Sequence, residues 1–299
     1  MQPTIPTPTP SPAQPPASTT PKTLQTPFWP RPSVRATTMV VAFTAIMLIV
    51  NSVAAAFGNP VTALLIGPAL GVLTLWLYAA TVRRLEKRSV TELARPNAAR
   101  RVLIGTLGGL TLSCVAIGII AAAGGYQIIG WGSLTGALTI VGMMCTVAVA
   151  EEVLFRGVIF PLVQQRWGTW IALAASSLLF GLIHLVNPGA TLWGALAIAV
   201  EAGLMLGAAY VATGSLWLPI GLHLGWNITT AGIFGTVVSG GDAQEALVQA
   251  VTHGPIWLTG GSFGPEGSLI SVAACSVVTV ILLVSAHRNG RITARPRRR

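Results

Sequence analysis

Charge is what this chain has least of. Only 9% of its 299 residues are Asp, Glu, Lys or Arg, while 53% are hydrophobic and the mean hydropathy is +0.71. A soluble domain carries about 25% charged residues, so too little charge is present to cover a water-facing surface. The chain also lacks CxxC and HExxH motifs. Its three cysteines, Cys114, Cys145 and Cys275, sit singly inside apolar runs, which argues against a disulfide framework or a zinc cluster and for small core side chains. The formal charge of +10 does not indicate a nucleic-acid partner, because the basic residues are not gathered on a folded face but fall in short stretches between apolar runs. The composition is that of an all-α, polytopic transmembrane helix bundle in contact with lipid.

Eight apolar stretches approach the roughly 20 residues needed to cross about 30 Å of hydrocarbon. They run approximately over 39–57, 61–82, 102–123, 134–157, 170–189, 191–212, 216–238 and 268–286. Residues 1–36 hold eleven of the twenty prolines among Thr, Ser and Gln and lack any hydrophobic period, which predicts a disordered tail. The start has no basic-then-apolar leader pattern, so the first apolar run is expected to be a retained anchor. The chain thus divides into a 1–36 tail, a 37–287 bundle and a basic 288–299 tail.

Lys and Arg occur only at connections of one parity. Lys22, Arg31 and Arg35 precede the first run; Arg83, Arg84, Lys87, Arg88, Arg95, Arg100 and Arg101 fill the 83–101 loop; Arg156 and Arg166 follow the fourth; and Arg288, Arg291, Arg295, Arg297, Arg298 and Arg299 close the chain. These are all 18 basic residues. Connections of the other parity have none, and the largest of them, about 239–267, carries Asp242, Glu245 and Glu266. The positive-inside rule then predicts a multi-pass cell-membrane protein with both termini cytoplasmic.

Against this background the ionisable residues inside apolar runs are candidate functional groups, since each costs about 2.5–3.5 kcal/mol at a helix centre on insertion scales. Glu151, Glu152 and Arg156 end the fourth run, His184 lies in the fifth, Glu201 in the sixth, and His223 with Asn227 in the seventh. On a helix Glu152 and Arg156 stand at i and i+4 and can pair. Glu151, rotated by about 100°, is left free to face a cavity. Read alone, the triplet also fits a solvated helix end, and either histidine alone fits a core residue bonded to a neighbouring helix. Taken together, a carboxylate with an imidazole can activate water, and a second imidazole with an amide can hold an oxyanion. Glu151, His184 and His223 could alternatively ligate a divalent metal such as zinc, assembled across helices. Glu201, outside any motif, fits either a partner of the site or a polar link between helices.

Three ordered motifs, Glu151-Glu152-xxx-Arg156, Phe180-xxx-His184 and His223-xxx-Asn227, resemble those of the CPBP family, the CAAX protease and bacteriocin-processing (Abi) intramembrane proteases. The run-in Gly214-Ser-Leu-Trp-Leu-Pro-Ile-Gly-Leu before His223 resembles that family's third motif as well. The resemblance covers about 140–230. It implies an intramembrane endopeptidase of glutamate or metallo type, acting on a membrane-anchored or prenylated protein or peptide through a cavity open to the cytoplasm. Glu151 would be the base on the attacking water, assisted by His184, with His223 and Asn227 at the oxyanion and Glu152, Arg156 and Phe180 in support. Readings of other classes are a proton-coupled transporter, for which no inverted repeat is visible, and a non-catalytic immunity or scaffold protein. For Glu151, His184 and His223 to share one depth, the fourth helix must run well beyond Glu152, to about 164, and the fifth past Asn187.

Overall fold

The computed structural model describes residues 32–295. The expected disordered tail lies outside the described residues up to position 31, and its last residues, 32–36, form the first turn of helix α1 (Pro32–Ala55). Antiparallel to α1 runs α2 (Pro60–Thr81), which starts where Asn59 accepts from the Thr62 amide and Pro60 presets the first helical residue. A wide π-turn carries α2 on to Glu86. Helix α3 (Ala98–Ala122) follows the basic loop, and Ser133 caps α4 (Leu134–Glu152) by accepting from the Gly136 amide. After α4 the chain does not stop: a π-turn over Val153–Ile159 joins it to α5 (Phe160–Trp167), so one helical rod reaches from Leu134 to Trp167.

Helix α6 (Thr169–Ile183) ends in a tight turn over His184–Val186, after which Asn187 is extended. The fourth helix therefore does reach past Glu152, whereas the fifth stops short of Asn187. Pro188 explains the stop, since the residue before a proline is driven out of the helical region. Helix α7 (Leu192–Ile198), a π-turn over Ala199–Leu204 and α8 (Met205–Thr213) make the next rod, ended by Gly214 in the left-handed conformation at φ 61°. Helix α9 (Trp217–Asn227) continues as a π-turn to Ile233, and α11 (Leu269–Arg288) closes the bundle after the four-residue helix α10 (Ile256–Thr259).

Among the described residues, seven helices are long and apolar enough to cross a membrane. The eighth apolar run is helical too, but as an 11-residue α-helix with a six-residue π-turn it falls short of that length. It compensates by packing. Gly105 and Gly109 on α3 face Gly221 and Gly225 on α9 so closely that a Cβ on Gly225 would stand 2.1 Å from the Thr106 carbonyl oxygen, and one on Gly109 would stand 2.2 Å from that of Leu222. Small residues at four-residue spacing are what lets two membrane helices meet backbone to backbone. This contact sets the position of His223, which lies between Gly221 and Gly225. Gly225→Leu is expected to expel α9 and give little folded protein by size-exclusion chromatography in detergent. Gly118→Leu on the other face of α3, where a Cβ meets nothing within 4 Å, is expected to leave the yield unchanged. Equal yields would remove the glycine contact as the reason α9 sits where it does.

The ends of the bundle differ. At the basic end, Tyr78 Oη donates to the Glu92 carboxylate and contacts the Gly157 carbonyl, Arg88 binds both Glu92 oxygens, and the Leu216 amide donates to the Glu92 carbonyl. Burial disfavours the charged form of Glu92, but the hydrogen bonds from Arg88 and Tyr78 outweigh it and hold the carboxyl below its ordinary value of 4.5. A depressed carboxylate contributes stability above its unfolded pKa and loses it as pH falls through the folded value. The unfolding temperature in detergent should therefore fall on acidification below about pH 4.5, and Glu92→Gln should remove part of that acid limb. An acid limb identical in parent and variant would contradict this role.

At the other end stands a two-stranded antiparallel ribbon, β1 (Tyr126–Trp131) with β2 (Val248–Thr252), the only strands among the described residues. The sequence pattern predicts the 239–267 stretch as a plain outer connection. Instead it folds back among the helix ends: Gly189 donates to the Gly240 carbonyl, Gly240 to that of Phe263, and Ser262 Oγ to that of Gly189. Glu266, expected outside, is buried at 2% exposure.

Candidate active site

Four of the six polar residues of the three motifs meet directly. Arg156 is fully buried, and its Nη1 lies 2.8 Å from Glu152 Oε1. Its Nη2 donates to the carbonyls of Gly203 at 3.0 Å and Ala202 at 3.3 Å, both in the π-turn between α7 and α8. The guanidinium also lies over the Phe180 ring, 4.8 Å from its centroid. The pairing predicted from the i, i+4 spacing thus exists, with backbone carbonyls of another helix satisfying part of the charge as a buried ion pair requires.

Glu152 Oε1 has a second partner, His223 Nδ1 at 3.1 Å. The other ring nitrogen, Nε2, faces Glu151 Oε2 at 3.9 Å. His223 is therefore held between the two adjacent acids, its orientation set by a carboxylate that is itself held by arginine. Glu151 is the acid left free by this arrangement, and it lines a cavity of about 480 Å³ together with His184, His223 and Asn227. His184 Nδ1 lies 2.7 Å from the Phe180 carbonyl one turn earlier. As donor to that oxygen, Nδ1 carries the proton and leaves Nε2 as the basic nitrogen. Asn227 Nδ2 makes only a 3.5 Å contact to Met144 Sδ, so its amide protons are free for a ligand. Phe180 is the packing centre, edge-on to Phe155 at 5.1 Å and within 4.9 Å and 6.1 Å of the His184 and His223 rings.

Three π-turns adjoin these groups: Val153–Ile159 after Glu152, Ala199–Leu204 around Glu201, and Ile228–Ile233 after Asn227. Such turns insert one extra residue per helical turn and re-aim the side chains that follow, which is why they gather at functional sites. No three His, Cys, Asp or Glu side chains among the described residues converge to hold a metal. Nδ1 of each histidine is engaged as described above, and the proposed set of Glu151, His184 and His223 does not form a closed ligand shell.

Two acids complete the cavity wall. Glu201 is fully buried, accepts from the Cys275 thiol at 3.2 Å and has its second oxygen without a partner. Cys275 is thus a hydrogen-bond donor as well as a core side chain. Glu266 accepts from Trp226 Nε1 at 3.0 Å and from the amide and hydroxyl of Ser239, each at 2.6 Å. Glu266, Trp226 and Ser239 are among the lining groups that the motifs did not announce. Only the scarcity of acids in the chain hinted at Glu266, and its location in a connection concealed it.

Residues 132–229 match the family described as type II CAAX prenyl endopeptidase Rce1-like. No curated protein and no solved structure matches the chain.

Proposed function

We propose that this chain, a CAAX-type intramembrane protease at the level of its family, hydrolyses a peptide bond of a membrane-associated protein or peptide in the cavity that Glu151 lines. The observation that carries this reading is the relay Arg156–Glu152–His223–Glu151, whose last two members line that cavity together with His184 and Asn227. A buried acid pair in which one member is neutralised and the other faces a cavity separates the two roles that hydrolysis needs, support and proton transfer.

In the proposed reaction Glu151 takes a proton from a water molecule that His184 Nε2 helps to orient. The water oxygen attacks the carbonyl carbon, and the carbonyl oxygen takes up the negative charge. His223, protonated on both nitrogens, keeps one N–H on Glu152 and turns the other to that oxygen, beside the Asn227 amide. Collapse breaks the C–N bond, the leaving amine receives the proton from Glu151, and the new carboxylic acid passes its own proton to the amine, so that a carboxylate and an ammonium depart. The reading includes an orientation with both termini cytoplasmic, supported by the location of the 17 basic residues other than the buried Arg156.

The test compares purified parent with His184→Ala, Asn227→Ala and Glu151→Gln on a fluorogenic membrane-anchored peptide, in prenylated and unprenylated forms. Cleavage is expected to fall in all three variants, most in Glu151→Gln. Parent-like rates in Glu151→Gln and His184→Ala together would sink the proteolytic reading.

A further inference from the structure

The resemblance implies a cavity open to the cytoplasm, but the residues that bound it point the other way. Its deep wall, at Ala202, Met205, Leu206, Leu222 and His223, is buried. The exposed lining residues are Leu48 at 58%, Val186 at 87%, Asp242 and Gln244. All four belong to one end of the bundle. Leu48 lies in the second half of α1, Val186 ends the turn after α6, and Asp242 and Gln244 belong to the connection that follows α9. Gln244 and Glu245 also share a surface depression with the α1–α2 turn and the start of α4.

The basic connections form the opposite end. Arg35 Nη1 donates to the Leu85 carbonyl there, and the Glu92 network ties Tyr78, Arg88, Gly157 and Leu216 together. Charge agrees with the geometry. Glu151, Glu201, Asp242 and Glu266 line the cavity, and among the described residues no lysine or arginine does.

We infer that the cavity takes its substrate from the face of the membrane opposite the basic connections, the extracytoplasmic face in the orientation given above. The substrate class is then a membrane-anchored polypeptide whose scissile stretch lies on that side and is neutral or basic. Leu48 on α1, Ile183 at the end of α6 and Val186 just after it give the rim an apolar part, which suits the membrane-anchored part of such a chain, while Asp242 and Gln244 supply a polar part for the stretch in water. An acidic stretch would meet Asp242 at the rim and three buried carboxylates below it, with no lysine or arginine among the described lining residues, so it is disfavoured there. The inference rests on the proteolytic reading only for what is done to the substrate; the side of access is independent of it.

Access is read by labelling single introduced cysteines with a membrane-impermeant maleimide, in intact cells and in inverted vesicles, against the parent chain as background for its three native cysteines. Gln244→Cys marks the rim, Thr44→Cys the cavity wall, and Arg95→Cys the basic loop. Gln244→Cys and Thr44→Cys are expected to react in intact cells, and Arg95→Cys only in inverted vesicles. Should Arg95→Cys react in intact cells and Gln244→Cys only in inverted vesicles, the orientation is reversed and the inference falls. It falls equally where the two outer markers behave as expected but Thr44→Cys reacts only from the vesicle side or from neither. Asn51→Cys, also on the cavity wall, repeats the measurement where Thr44→Cys does not fold. Because labelling needs no cleavage, these outcomes are separate from a loss of the proteolytic reading, which the Glu151→Gln comparison decides.

Discussion

Arg156→Met is expected to destabilise the protein more than any other single exchange at the site. The guanidinium is fully buried, and its loss leaves Glu152 as a buried carboxylate facing only His223, with the Ala202 and Gly203 carbonyls unpartnered on that side. Breaking one half of a buried ion pair costs about 3–5 kcal/mol. Arg156→Lys keeps the charge but not the planar fork, so it cannot reach Glu152 and the two carbonyls together while stacking on Phe180. The informative comparison is the double variant Glu152→Gln with Arg156→Met. Removing both charges together should recover much of the unfolding temperature in detergent, since paired buried charges are often replaceable by neutral groups. Cleavage should stay low, because His223 Nδ1 then has no carboxylate to fix it. A double variant as active as the parent would show that the Glu152–His223 contact has no part in the reaction.

Glu151→Gln should do the reverse, keeping the fold and losing the chemistry. Glu151 has no ion-pair partner closer than His223 Nε2 at 3.9 Å, and His223 remains anchored through Glu152. The amide is nearly isosteric with the acid but cannot accept the proton of the attacking water. Positioned proton transfer contributes about 10²–10⁴-fold to rate, and a loss within that range in kcat at nearly constant KM is the expected result. Glu151→Asp, with the carboxylate drawn back by one methylene, should fall between parent and Glu151→Gln. A Glu151→Gln variant with its unfolding temperature sharply reduced would instead mark Glu151 as structural, and the fully retained rate would mark it as a bystander.

Much of the candidate site could be read along the chain for a physical reason. In a segment that must reside in hydrocarbon, a charged side chain is expensive, so those that persist mark themselves. Glu151, Glu152, Arg156, His184, Glu201, His223 and Asn227 all line the cavity or contact a residue that does. The i, i+4 period also foretold the Glu152–Arg156 pair, because helix geometry alone decides which side chains of one helix share a face. Residue counts placed the apolar runs, since the thickness of the bilayer prescribes helix length, but not every end: α1 starts at Pro32 rather than 39 and the fourth rod continues to Trp167 rather than 157.

The rest depended on groups far apart in the chain. His223 could be picked out along the chain, but not the contacts of its two nitrogens with Glu152 and Glu151, a relation across about seventy residues that no local period encodes. Glu266 fell in a stretch read as an outer connection, and only the folding-back of that stretch, which brings Glu266 onto Trp226 and Ser239, takes it out of water. The glycines at 105, 109, 221 and 225 were visible as letters, but each gains meaning from the backbone it meets on the other helix. The direction in which the cavity opens is the furthest from the sequence. Hydropathy and basic residues define two faces of a membrane protein, whereas the mouth is a gap between α1, the end of α6 and a re-entering connection. Hydropathy is a property of each segment by itself; a gap exists only between segments, and so arises once the helices have packed.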